Sequence, residues 1–174
     1  GTGQATPFTI GPQSATLRVL EVPRLRLPPE TSADPGAPVL VPILLELPSL
    51  DVPTAFRFTV TFDPSLVSVD SVSGGTLAAA SDLEWSLVGA GRLQVSVLYA
   101  GVRGPGAGSA SLAVVRFVAL GNEGTGVLRV SGSEATPLLA GAVPIEVEGA
   151  SGTIRVVQVA VPPPPPPPLL EVVE

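Results

Sequence analysis

The chain has 174 residues, a net charge of −6 and a pI near 4.6, and only 14% of its residues are charged while 45% are apolar. Such an acidic chain has no basic footprint for nucleic-acid phosphates, and no apolar run approaches the ~20 residues of a membrane-spanning helix. It contains no Cys, His, Met or Lys, which excludes disulfides, thiolate or imidazole metal sites, Ser-His-Asp and Cys-His nucleophile systems and lysine Schiff bases.

Taken in chain order, residues 1–22 form a β-prone extension. Phe8-Thr9-Ile10 and the run Thr16 to Val22, with Leu17 and Val19, are separated by Gly11-Pro12. They are expected either as edge strands of the same domain or as strands that pair with a neighbouring subunit. A sandwich domain is expected over 23–161. It starts with the alternating Arg24-Leu25-Arg26-Leu27, followed by a turn-rich connection from Glu30 to Ala37 and an apolar strand from Val39 to Leu47.

The stretch from Ala55 to Ser65 organises the domain. Phe56, Phe58, Val60 and Phe62 alternate with Arg57, Thr59 and Thr61, the side-chain period of a strand with one buried face. Three of the five Phe lie on that face, which predicts a central strand, and Asp63-Pro64-Ser65 ends it with a turn. Further strands are predicted over Leu66–Val72, Leu83–Val88, Arg92–Tyr99, Leu112–Leu120, Gly126–Ser131, Ile145–Val147 and Thr153–Val161. The only helix-compatible stretch is Thr76 to Asp82, and Gly101 to Ser109 reads as a Gly-rich loop. About nine or ten short strands with Gly/Pro turns predict an all-β, antiparallel sandwich with jelly-roll topology.

Pro162 to Pro168 follow, seven prolines in a row. They predict a polyproline II spacer of about 20 Å. A short β-prone tail, residues 169–174 with Leu169 and Val172, closes the chain.

Candidate chemistry is sparse. With no His or Cys, a metal would need oxygen ligands, and Asp51, Asp63, Asp70, Asp82 and Glu84 are not spaced as a calcium loop. Gly104 to Gly108 lacks the Lys-Ser/Thr of a phosphate-binding loop. Asp82 and Glu84 share a strand face by period, but turn and solvation roles account for them better than a glycosidase acid pair. Trp85 and Tyr99, expected in the core or at its edge, do not make the aromatic platform of a carbohydrate-binding module. No catalytic residue, cofactor or metal is expected.

From Gly36 to Val156 the chain carries an ordered series of motifs: Pro35-Gly36-Ala37-Pro38-Val39-Leu40-Val41-Pro42-Ile43, the strand and turn over residues 55–67, the hairpin Val72 to Leu77, Gly91-Arg92-Leu93-Gln94-Val95-Ser96-Val97, the stretch Gly108 to Phe117, and Gly152-Thr153-Ile154-Arg155-Val156. This series resembles a cohesin domain. The resemblance implies a nine-stranded jelly roll with a non-enzymatic, extracellular interaction role, one sheet face of which binds a dockerin partner. On this chain that face would carry Arg57, Thr59, Thr61, Gln94 and Ser96.

Function is therefore expected from surfaces and ends. The first expectation is a structural subunit that assembles head to tail into a surface fibre through Phe8, Thr9, Ile10, Leu17, Val19, Pro162, Pro168, Leu169 and Val172. The alternative is a cohesin module binding a dockerin-bearing protein. A carbohydrate-binding module is a third reading. The partner is a protein in either of the first two, with no nucleic acid and no membrane span. The start at Gly1-Thr2-Gly3 is expected for a secreted chain whose signal has been removed. All nine basic residues are Arg and Asn122 is the one Asn, a composition expected of a GC-rich or thermophilic source.

Overall fold

The computed structural model describes residues 23–47, 54–77, 83–99, 108–137 and 144–158. Within them lie eleven strands and no helix: β1 (Arg24–Arg26), β2 (Glu30–Ala33), β3 (Pro38–Leu47), β4 (Thr54–Thr61), β5 (Val67–Gly74), β6 (Leu83–Gly89), β7 (Arg92–Tyr99), β8 (Gly108–Ala119), β9 (Gly124–Pro137), β10 (Ile145–Val147) and β11 (Ala150–Val156). They form two sheets. One is four-stranded in the order β1-β3-β8-β5. The other is seven-stranded in the order β2-β11-β9-β4-β7-β6, with β10 also paired to β9.

The core lies between the sheets and is built from alternate residues. Phe56, Phe58 and Val60 of β4 are buried, as is Phe62 just beyond it, and Leu93, Val95 and Val97 of β7 continue the layer. The opposing sheet contributes Val39, Val41, Ile43 and Leu45 of β3 and Val115, Phe117 and Ala119 of β8. Phe62 and Phe117 meet edge to face across the sandwich, with ring centroids 5.3 Å apart at 66°, a favoured aromatic geometry. The central position expected for the Phe-rich strand holds, since β4 has β9 on one side and β7 on the other.

Local reading and structure differ at several places. Glu30 to Ala33, expected as part of a turn-rich connection, is strand β2, and it pairs in parallel with β11, whereas all the other strand pairs are antiparallel. Glu-Thr-Ser-Ala has no apolar alternation, so its conformation comes from the β11 edge that it hydrogen-bonds. Strand β9 runs past the expected end at Ser131 to Pro137, through a bulge. Strand β8 begins at Gly108, inside the expected Gly-rich loop, and carries an extra residue at Leu112, so that Leu112 and Ala113 are both buried. Among the described residues the count is eleven, against the nine or ten expected. The helix-compatible residues 78–82, the extension 1–22 and the residues 162–174 lie outside the described residues.

The turn predicted at Asp63-Pro64-Ser65 carries the chain from β4 in one sheet to β5 in the other. The Ser65 backbone N–H and hydroxyl both donate to Asp63 Oδ1, at 2.9 and 2.6 Å. The Leu66 N–H donates to the Asp63 carbonyl at 3.2 Å, and the Asn122 side-chain amide donates to the Ser65 carbonyl at 3.0 Å. The two Ser65 donors favour the carboxylate, the hydroxyl most, and hold the Asp63 pKa below its ordinary value. A depressed native pKa means that Asp63 contributes stability above the unfolded aspartate value of about 3.9, and that this contribution is lost as pH falls through the lower native value. In an NMR titration Asp63 is expected to ionise below the ordinary aspartate range, and in Ser65→Ala, which removes the hydroxyl, its midpoint is expected to move back up. An unmoved midpoint would show that the hydroxyl is not the cause.

Candidate protein-docking face

The outer face of β9-β4-β7-β6 carries polar side chains in register across four strands. Strand alternation places Arg57, Thr59 and Thr61 of β4 outward, opposite the buried Phe56, Phe58 and Val60. Antiparallel register then sets them beside β7: Arg57 opposite Ser96, Thr59 opposite Gln94, and Thr61 opposite Arg92. All five residues expected for this face therefore share it.

The neighbouring strands complete three rows. Arg57 has Glu134 of β9 on one side and Ser96 on the other, and Glu84 of β6 lies beyond Ser96. The second row reads Ser131, Thr59, Gln94, Ser86, and the third Arg129, Thr61, Arg92. One end of the face thus carries carboxylates around a single guanidinium, and the other carries two guanidinium groups. A concavity of about 340 Å³ opens over the first row, lined among others by Arg57, Glu84, Ser96, Leu98, Glu134 and Thr136.

None of the charged groups of these rows is spent internally. The four ion pairs among the described residues join Arg24 to Glu148, Arg26 to Glu46, Arg116 to Asp70 and Arg155 to Glu30, all away from these rows. Those exposed pairs are worth little to stability. Arg57, Glu84, Glu134, Arg92 and Arg129 keep their charges facing solvent.

Sequence reasoning missed Glu84, Ser86, Arg92, Arg129, Ser131 and Glu134. Arg92 was within reach, because it shares the parity of Gln94 and Ser96. The residues of β9 were hidden by the bulge: two steps on β4, Arg57 to Thr59, match three on β9, Glu134 to Ser131. Gly132, at φ 63°, supplies the extra residue. Outward positions are odd-numbered before it and even-numbered after it. The signal was a glycine interrupting a strand pattern.

No catalytic constellation accompanies these rows. Among the described residues no group of three or more acidic side chains is close enough to hold a metal. Glu84 and Glu134 are three strand spacings apart, about 14 Å, too far for the two carboxylates of a glycosidase. Asp82 and the Tyr99 side chain lie outside what is described. Trp85 stands half exposed on the edge strand β6. No described helix is long and apolar enough to cross a membrane.

No protein-family model and no curated protein matches the chain. Solved structures do. A non-cellulosomal cohesin from Archaeoglobus fulgidus superposes with a TM-score of 0.63 at 20% identity, over 79% of this chain and 93% of that one. The seventh ScaB type I cohesin from Pseudobacteroides cellulosolvens gives 0.65 at 16%, over 80% and 95%. The sixth cohesin of Acetivibrio cellulolyticus scaffoldin B, solved in complex with a Cel5 dockerin, gives 0.61 at 18%, over 79% and 100%. Identities this low speak for the fold and not for the partner. The chain is thus a cohesin-like domain, an all-β jelly-roll sandwich built on the cohesin plan.

Proposed function

We propose that this chain is a non-catalytic, extracellular interaction module whose β9-β4-β7-β6 face docks a dockerin-class protein. The observation that carries the reading is the ordered set of unspent charges on that face, with Arg57 between Glu134 and Ser96. Hydrogen-bonded strands present such groups without backbone rearrangement, so little ordering entropy opposes docking. Arginine is well suited to anchor such a contact, because its planar guanidinium forks onto carboxylates and stacks on apolar surface. The cohesin of A. cellulolyticus with a similar fold is held by a dockerin, which supports the same class of partner here. The charge layout asks for a partner with basic groups over Glu84 and Glu134 and acidic groups over Arg92 and Arg129.

The test is a binding titration against a dockerin panel that includes the Cel5 dockerin. Arg57→Glu is expected to weaken binding at least about tenfold. Arg116→Glu, on the outer face of the other sheet, is expected to leave it unchanged. Equal losses from both variants, or no binding by any dockerin, would overturn the reading.

Self-assembly into a fibre draws on a different surface. The terminal segments expected to drive it lie outside the described residues, and what favours it is the open edge of β6.

A further inference from the structure

Strand β6 ends the seven-stranded sheet, and among the described residues it pairs only with β7. Its inward row by register is Leu83, Trp85 and Leu87, opposite Val97, Val95 and Leu93 of β7. Leu83 packs against the core, but the rest of the row is open: Trp85 is 39% exposed, Leu87 54%, and the bulged Val88 beside it 50%. Natural edges are guarded by Lys, Pro, inward charges or short length. The other edges follow that rule. Strand β2 is four residues long without a large apolar side chain, and β5 carries the ion-paired Asp70 at a bulge. Strand β6 has seven residues, no Pro and one charge, Glu84.

We infer that the β6 edge accepts residues 16–20 of a second copy of this chain as an added strand. The inference rests on the self-assembly reading and is independent of the docking face. A parallel register sets Thr16 beside Glu84, Leu17 beside Trp85, Arg18 beside Ser86, Val19 beside Leu87 and Leu20 beside Val88. Apolar residues then cover the exposed row, and Arg18 lies diagonal to Glu84, within reach of its long side chain. The other β-prone terminal segment fits worse, since Leu169 to Glu174 brings Glu171 to the edge that already holds Glu84.

Strand order makes the donor a second copy. The Pro23 carbonyl accepts a hydrogen bond from Glu148 N–H at 3.0 Å, which fixes Pro23 beside β10 and β11. From there β9, β4, β7 and β6 intervene before the acceptor edge, so the added strand lies about five spacings, or about 24 Å, away. Leu20 is three residues from Pro23, a reach of at most about 11 Å. A chain therefore cannot place this segment on its own β6. Because donor root and acceptor edge lie on opposite sides of the sandwich, the contact is head to tail and leaves a free donor and a free acceptor at the two ends. Such heterologous contacts grow open filaments, or rings where the rotation closes.

The absence of native Cys allows a direct test on the full chain. A chain carrying Arg18→Cys and Ser86→Cys is expected, under mild oxidation, to give a concentration-dependent ladder of disulfide-linked oligomers. Arg18→Cys paired with Ser68→Cys on β5 is expected to give none. Mixing the two single variants, Arg18→Cys and Ser86→Cys, is expected to give a linked dimer and nothing larger. Particle size by light scattering is read in parallel on the unmodified chain. Large particles without the 18–86 link would overturn this site and leave self-assembly standing. Monomers throughout would overturn both. A link that forms within one chain at any dilution would overturn the second-copy donor.

Discussion

Phe58→Ala is expected to lower the stability of this domain by about 3–5 kcal/mol, the range for removing a buried aromatic ring and leaving a cavity. Phe58 is 1% exposed and lies on β4, with β9 and β7 on either side, in the core cluster that both sheets share. Neighbours on both flanks are held in register by hydrogen bonds, so the space cannot close by moving one strand. The bulge at Gly132 lies at this level of β9, so Phe58 also packs where the sheet is locally kinked. The matched control is Trp85→Ala. It removes a larger ring, but from an edge strand where the ring is already half solvated, so the expected loss is about 1 kcal/mol. Denaturant unfolding of the two variants should show the smaller deletion costing several times the larger. Equal losses would mean that β6 is buried in solution and would remove the open edge on which strand addition depends.

Gly91→Ala is expected to cost about 2–5 kcal/mol, the sum of two effects that a second glycine separates. Gly91 sits in the two-residue turn Ala90-Gly91 between β6 and β7 at φ 68°, where any side chain strains the backbone by roughly 1–2 kcal/mol. An added Cβ would also lie 2.3 Å from the carbonyl oxygen of Phe62. That atom is backbone and cannot swing away, because the Phe62 N–H donates to the Gly91 carbonyl at 2.9 Å and pins the hairpin to the end of β4. Overpacking of this kind adds about 1–3 kcal/mol. Gly132, at φ 63°, has nothing within 4 Å of an added Cβ, so Gly132→Ala carries only the strain. Thermal unfolding should rank Gly91→Ala well below Gly132→Ala. If the two variants melted together, the contact of the β6–β7 turn with Phe62 would not contribute to stability.

The two glycines show where the limits of local reading lie. Each is visible in the sequence as a glycine at a turn or inside a strand pattern. Nothing local says that Gly91 presses on the Phe62 carbonyl, 29 positions earlier, or that Gly132 reverses the parity of everything after it on β9. The lone Asn is a similar case, since Asn122 caps the turn at Ser65 from a different loop.

By itself the sequence determined the class and the central layer. Alternation at Phe56, Phe58, Val60 and Phe62 and at Leu93, Val95 and Val97 forces two one-sided strands, because a period of two leaves no other way to bury one face. The outward positions Arg57, Thr59, Thr61, Gln94 and Ser96 follow from the same parity. Only the tertiary structure decided which strands are neighbours. It brought Glu84 and Glu134 to either side of the Arg57–Ser96 pair, made a strand of Glu30 to Ala33, and left β6 uncovered at a sheet edge. Strand order depends on contacts between residues far apart in the chain, and those contacts carry no local signature. An exposed Trp85 and a buried Phe58 look alike in the sequence, and they differ only because one strand has a neighbour on each side and the other does not.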